Sequence, residues 1–118
     1  MLRKKTLGRE YGDGDIIVKQ GTVGDCLYVV QKGKVEVINE RPDREVKLAE
    51  LGESEFFGEM ALFEKDVRSC TVRALGEVKI LTLDKKSFYK TIQKDPSLAF
   101  RMLEKMSNRL RSVDNKIF

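Results

Sequence analysis

The residues best equipped for chemistry lie between Phe56 and Ala74, where a glycine-acid pair, Gly58-Glu59, precedes an arginine-serine pair, Arg68-Ser69. A guanidinium can grip two phosphate oxygens at once, and the Ser69 hydroxyl beside it offers a third contact. Gly58 lets a ligand approach the backbone, and a single helical turn over 59–63 would present its unpaired N–H groups to an anion. Glu59 repels a phosphate but can accept a hydrogen bond from a sugar hydroxyl. An arginine for phosphate and a carboxylate for ribose, this close in sequence, describe a nucleotide with one compact phosphate. Singly, each feature has a duller reading: a lone arginine is usually a solvated charge, and a Gly-Glu pair is usually a turn before a helical acid. The pairing is more telling than either member.

Other chemistries are poorly supplied. The chain has no histidine, which removes imidazole as a general base and as a ligand for zinc or haem. Its two cysteines, Cys26 and Cys70, have no CxxC spacing, and both are expected as small buried side chains rather than reactive thiols or iron–sulfur ligands. No nucleophile–base pair stands out, so no catalytic residue, metal or cofactor is expected. Charged residues make up 36% of the chain but nearly cancel to a net +4, too little to imply nucleic acid or membrane as a partner. No apolar run approaches the roughly twenty residues of a membrane span, and the first residues lack a signal peptide's apolar stretch, which predicts a cytoplasmic protein.

The elements that must position these residues are mostly strands. Short β-rich runs at 16–19, 27–30, 34–38, 46–49, 70–74 and 78–83 alternate with glycines at 12, 14, 21, 24, 33 and 52, read as turns. Gly24-Asp25 is read as structural, and the polar stretch 39–45 as a hairpin loop. Many short strands at regular spacing predict a barrel or roll. After Asp84, a plausible N-cap, helical patterns take over, with Pro96 suited to the first turn of a second helix. There Leu103, Met106, Leu110, Val113 and Ile117 step by three and four, a stripe that predicts first a packing face and second a lid or dimer seam. The chain of 118 residues with 41% hydrophobic content is read as one domain.

Two stretches carry a family likeness. The run Gly14-Asp-Ile-Ile-Val-Lys-Gln-Gly-Thr-Val-Gly-Asp-Cys-Leu-Tyr-Val-Val-Gln-Lys-Gly-Lys-Val-Glu-Val, and then Phe57-Gly-Glu-Met-Ala-Leu-Phe closing with Arg68-Ser-Cys-Thr-Val-Arg-Ala, resemble the cyclic-nucleotide-binding domains. That is the family of the bacterial catabolite activator protein, the regulatory subunits of protein kinase A and cyclic-nucleotide-gated channels. The resemblance covers nearly the whole chain. It implies a mainly β fold with C-terminal helices: a β-roll (double-stranded β-helix, jelly-roll-like) over about 11–84 with a phosphate-binding cassette, and helices over about 85–117. It further implies that Gly58, Glu59, Met60 and Ala61 form the cassette, with Glu59 on the ribose 2′-hydroxyl, Arg68 on the cyclic phosphate, and Ser69 and Cys70 beside it. Met102, Met106 and Arg109 become candidates for a lid that closes over the base when the last helix moves. Serine after the arginine leans towards cyclic AMP over cyclic GMP.

The function implied is a regulatory sensor that hands its signal to an effector protein or domain not in this chain, with a homodimer through the last helix as a further expectation. Two alternatives stay open. The fold could serve protein contact without a nucleotide, although Glu59 and Arg68 together argue against it. It could also be the sensor half of a longer bacterial transcription regulator; within this chain nothing after the long helix supplies a recognition helix, so direct DNA binding is not expected.

Overall fold

The computed structural model describes residues 8–59 and 66–117, with side chains described for all of these except 66 and 109–117. The expected helical turn at 59–63, and Met60 and Ala61 with it, lie outside the described residues beyond Glu59. The chain divides into two compact units, 1–85 and 86–118.

The described regular structure of the first unit is strand almost throughout, with Glu59 in a 3-10 turn. Its strands are β1 (Arg9–Tyr11), β2 (Ile16–Val18), β3 (Val23–Gly24), β4 (Cys26–Glu40), β5 (Glu45–Leu51), β6 (Phe56–Phe57), β7 (Asp66–Val67) and β8 (Thr71–Asp84). All the pairings are antiparallel. The main sheet runs β1-β8-β4-β5, with β2 also on β8 and β6 also on β4, while β3 and β7 form a separate two-stranded ribbon.

Two long strands replace four of the short runs read from sequence, because two glycines expected or available as turns lie inside strands instead. Gly33 and Gly76 both have positive φ, 89° and 75°, which a non-glycine residue adopts only at a cost. A side chain at Gly33 would also strike the Glu77 carbonyl. The β4–β8 register shifts on both sides of Lys32, so the strands bend without ending. The shift has a consequence for the core. Val30 and Val35 have opposite parity, yet Val30 pairs with Ile80 and Val35 with Ala74, and all four join one buried cluster with Val18, Phe57, Val72 and Val78. Phe56, Leu27 and Ile38 are also wholly buried. The predicted hairpin closes over Arg41–Arg44, whose ends are joined by a 2.8 Å backbone hydrogen bond.

Two helices follow, α1 (Lys85–Lys94), which begins at the last residue of the first unit, and α2 (Pro96–Ile117), which lies within the second. Pro96 opens α2, where its missing N–H removes no helical bond, and the Asp95 carboxylate accepts a 3.2 Å hydrogen bond from the Ser97 N–H. Of the stripe read in sequence, Leu103 and Met106 have described side chains, and those of Leu110, Val113 and Ile117 lie outside the described residues. Met102 is buried and Met106 half-buried, but Leu103 is 64% exposed, as is Phe100 at 69%. Leu103 and Met102 are one residue apart, about 100° around a helix, so the buried line passes through Met102 and leaves Leu103 outside it. Among the described residues no helix is long and apolar enough to cross a membrane.

Candidate functional site

Arg68 is the centre of the site because of how its backbone and side chain are both held. The β3–β7 ribbon sets Val23 opposite Val67 and Gly24 opposite Asp66. The ladder continues past it: the Arg68 N–H donates to the Thr22 carbonyl at 2.7 Å, and the Gly21 N–H donates to the Arg68 carbonyl at 2.8 Å. The side chain then turns inward and is only 8% exposed. Its guanidinium donates to the Cys26 carbonyl at 2.9 Å and more weakly to the Gly58 carbonyl at 3.5 Å, and it lies over the Tyr28 ring, 5.6 Å from the centroid.

Two glycines make room for it. Gly58 has φ 81°, and a Cβ there would come within 2.9 Å of the guanidinium and 3.1 Å of the Cys26 carbonyl oxygen. At Gly24 a Cβ would overlap the guanidinium itself. Glycine is therefore required at 24 by the arginine, not by the turn that the sequence suggested.

These residues wall a cavity of about 200 Å³ lined by Val18, Val37, Phe57, Gly58, Glu59, Arg68, Ser69, Cys70 and Val72. Its valines and Phe57 offer apolar surface, and its polar groups are a guanidinium, a carboxylate and a hydroxyl. That mixture suits a ligand with an anionic end, a hydroxyl and an apolar body. Of the residues singled out in sequence, Gly58, Glu59, Arg68, Ser69 and Cys70 meet here. The lid candidates Met102, Met106 and Arg109 belong to α2, in the second unit, and the Arg109 side chain lies outside the described residues. A larger cavity of about 490 Å³ opens beside β1, between Glu10, Tyr11, Lys32, Glu77 and Lys79. Its carboxylates and ammonium groups offer both signs of charge and select neither, so it is the weaker candidate despite its volume.

The cysteines differ from the expectation: both are half-buried, not buried. Cys70 ends a bend ahead of β8 and faces the cavity wall, with the Ser69 hydroxyl 3.9 Å from its sulfur. Burial pushes the Cys26 thiol up, and the hydrogen bond to Asp25 adds to that, so the thiol is protonated at neutral pH and the neighbouring carbonyl is what serves Arg68. Burial likewise raises the Tyr28 phenol, partly opposed by the Arg68 charge. Among the described residues, no group of His, Cys, Asp and Glu could hold a metal ion.

Sequence reasoning missed Gly24, Tyr28 and the Cys26 carbonyl as parts of the arginine's seat. The glycine and tyrosine stand in a stretch whose hydrophobic pattern reads simply as a strand after a turn. Only the fold brings that strand under Arg68, forty-two residues away from Cys26.

Fold and cavity together define a small β-rich domain with a ligand pocket and a helical extension. The chain belongs to the cyclic nucleotide-binding domain family, whose model matches residues 8–95. A CRP-like cAMP-activated global transcriptional regulator of Mycobacterium tuberculosis is 28% identical over 117 residues, covering 98% of this chain and 52% of that protein. A cAMP-dependent protein kinase type II regulatory subunit of Drosophila melanogaster is 36% identical over 88 residues, covering 74% of this chain and 23% of the relative. The chain thus spans about half of the first relative's length and about a quarter of the second's. Among solved structures, the catabolite activator protein of Thermus thermophilus superposes with a TM-score of 0.78 at 30% identity, over 95% of this chain and 54% of that one. The EAL enzyme Bd1971 in its cAMP-bound form superposes at 0.65 with 32% identity, over 93% of this chain and 30% of the enzyme. The relatives named are regulators, and the domain also occurs in an enzyme.

Proposed function

We propose that this domain is a sensor that binds a cyclic nucleotide, cyclic AMP in preference to cyclic GMP, in the Arg68 cavity and signals through movement of α2. The observation that carries the reading is the state of Arg68. A guanidinium more than nine-tenths buried forms no ion pair with any carboxylate among the described residues. Burying an unpaired charge is costly, and among the described residues two carbonyls and one ring face are what offset it. A phosphate would supply the missing counter-charge and accept the N–H groups still uncommitted.

The remaining roles follow from what stands beside it. Glu59 reads the ribose 2′-hydroxyl, Gly58, Met60 and Ala61 complete the cassette, and Ser69 and Cys70 border the phosphate. Met102, Met106 and Arg109 supply a lid. The output passes to an effector protein or domain not in this chain, with α2 also the seam of a homodimer, and the domain itself catalyses nothing. Calorimetric titration with cyclic AMP and cyclic GMP is the direct test. Saturable one-to-one binding tighter for cyclic AMP is the expected result; no heat and no competition with either nucleotide would overturn the reading.

A further inference from the structure

Tyr28 is not itself a lining residue of the cavity, but it touches two that are, Phe57 and Arg68. It is the direct cross-strand partner of Phe57, and the two rings stack with centroids 5.1 Å apart and planes 14° from parallel. Phe57 leads straight into Gly58-Glu59, so the stack fixes where that segment leaves β6. The Tyr28 ring also lies under the guanidinium of Arg68, which closes the wall ten residues later. A Cβ at Gly58 would come within 3.4 Å of Cδ2 of the same ring. One side chain thus touches the approach to Glu59 and the arginine itself.

Among the described residues, no carboxylate pairs with Arg68 in its seat. Its hydrogen bonds to the Cys26 and Gly58 carbonyls lie in the guanidinium plane, but the second is long at 3.5 Å, so the contact on the face of the group adds to what holds its orientation. Tyr28, itself half-buried, supplies that face, and a buried cation over an aromatic ring is held more strongly than an exposed one. An acid in this place would hold the arginine too, but it would neutralise the charge that an anionic ligand needs. A ring holds the cation and leaves the charge available.

We propose that Tyr28 is a positioning residue for anion capture: its ring holds the Arg68 guanidinium in its binding orientation before the ligand arrives. The inference rests on the nucleotide reading of the cavity for its effect on affinity, but its structural half can be tested without any ligand. In the ligand-free protein the Arg68 Nε–H resonance, assigned by its absence in Arg68→Ala, should be slow to exchange and shifted upfield by the ring current. Tyr28→Phe should preserve both features and Tyr28→Leu should abolish them. In titrations with cyclic AMP, Tyr28→Leu should weaken binding on the order of tenfold, the scale of one partly buried cation–ring contact. Tyr28→Phe should stay within about twofold of wild type. In an Arg68→Ala background, Tyr28→Leu should cause no further loss, because its effect runs through the arginine.

A wild-type Arg68 resonance without an upfield shift would overturn the proposal, even if Tyr28→Leu failed to fold. So would an equal affinity loss from Tyr28→Leu with and without Arg68, which marks a purely structural role through Phe57. If the wild-type protein bound no cyclic nucleotide, the functional reading would fail instead, and the ligand-free resonance would still decide the role of Tyr28.

Discussion

Arg68, Gly24 and Glu59 act on the ligand by different routes, and substitution should separate them. Arg68→Ala removes the cation and should weaken cyclic AMP binding by roughly 2 to 5 kcal/mol, as for loss of one member of a desolvated charge pair. The fold should survive, and unchanged affinity in the folded variant would remove Arg68 from the phosphate. Gly24→Ala leaves the arginine in the chain but puts a methyl group where its guanidinium lies. The colliding atoms are the end of a long side chain, so the side chain should swing away rather than the fold break. Affinity should fall most of the way to that of Arg68→Ala with little change in melting temperature, and the double variant should bind no worse than Arg68→Ala alone. Full affinity in Gly24→Ala would mean that the arginine finds another route to the ligand. For Glu59, replacement by Gln keeps the size and removes the charged acceptor, so the preference for cyclic AMP over its 2′-deoxy analogue should shrink. If wild type already binds both equally, the carboxylate does not read the ribose. The chemistry-bearing residues of this site were legible in sequence because Gly58, Glu59, Arg68 and Ser69 lie within one short segment. Gly24 and Tyr28 were not, because their importance exists only once β3 and β4 are folded beneath that segment. A glycine before a strand looks the same whether a turn or a distant guanidinium requires it.

At the scale of elements, strand chemistry was easier to read than strand length. Val35 and Val37 alternate with Lys34 and Glu36, which signals a strand, but nothing local says that Gly33 continues it instead of ending it. Tertiary pairing with β8 decides that. The ribbon of β3 and β7 was illegible for a simpler reason: each strand is two residues long and carries no period. The end of β4 is fastened by a polar cluster that gives a testable pH dependence. The Gln20 side-chain amide bonds both backbone groups of Glu40, at 2.7 and 2.9 Å, while the Lys19 ammonium and the Thr71 hydroxyl donate to its carboxylate. Those hydrogen bonds, Lys19 first and Thr71 second, hold the Glu40 carboxyl below the usual carboxylate range. With the folded value depressed, the unfolded chain takes up the proton first, so this contribution is present above the ordinary glutamate pKa. It is lost as pH falls through that depressed folded value. Denaturant midpoints measured from pH 6 down to 3 should therefore fall in wild type and fall less steeply in Glu40→Gln. Parallel profiles would show that Glu40 has no part in the acid transition.

For the whole molecule, the question is whether the helical unit feels the ligand, and thermodynamics limits the answer. A nucleotide can shift α2 only by the difference in its contacts with two arrangements of the helix, and the coupling must be reciprocal. Whatever α2 gains in stability on binding, the nucleotide must lose in affinity when α2 is disrupted. The helix is a reasonable carrier for such a change. Its Phe100 and Leu103 are exposed while Met102 is buried, so a rotation of about one residue, roughly 100°, would exchange which apolar side chain is covered. Hydrogen exchange on residues 97–117 with and without saturating cyclic AMP reads the first half of the cycle. Protection should rise on binding by several-fold, within the 5- to 150-fold range usual for coupled sites. Ser107→Pro reads the second half: it places a proline in the interior of α2 at an exposed position, where loss of a helical hydrogen bond and a steric clash cost about 3 kcal/mol. The variant should bind cyclic AMP more weakly, by the factor that the exchange measurement assigns to the helix in wild type, and should show no ligand-dependent protection beyond residue 107. Equal protection in both states, together with wild-type affinity in Ser107→Pro, would confine the response to the β unit and send the signal out through another surface.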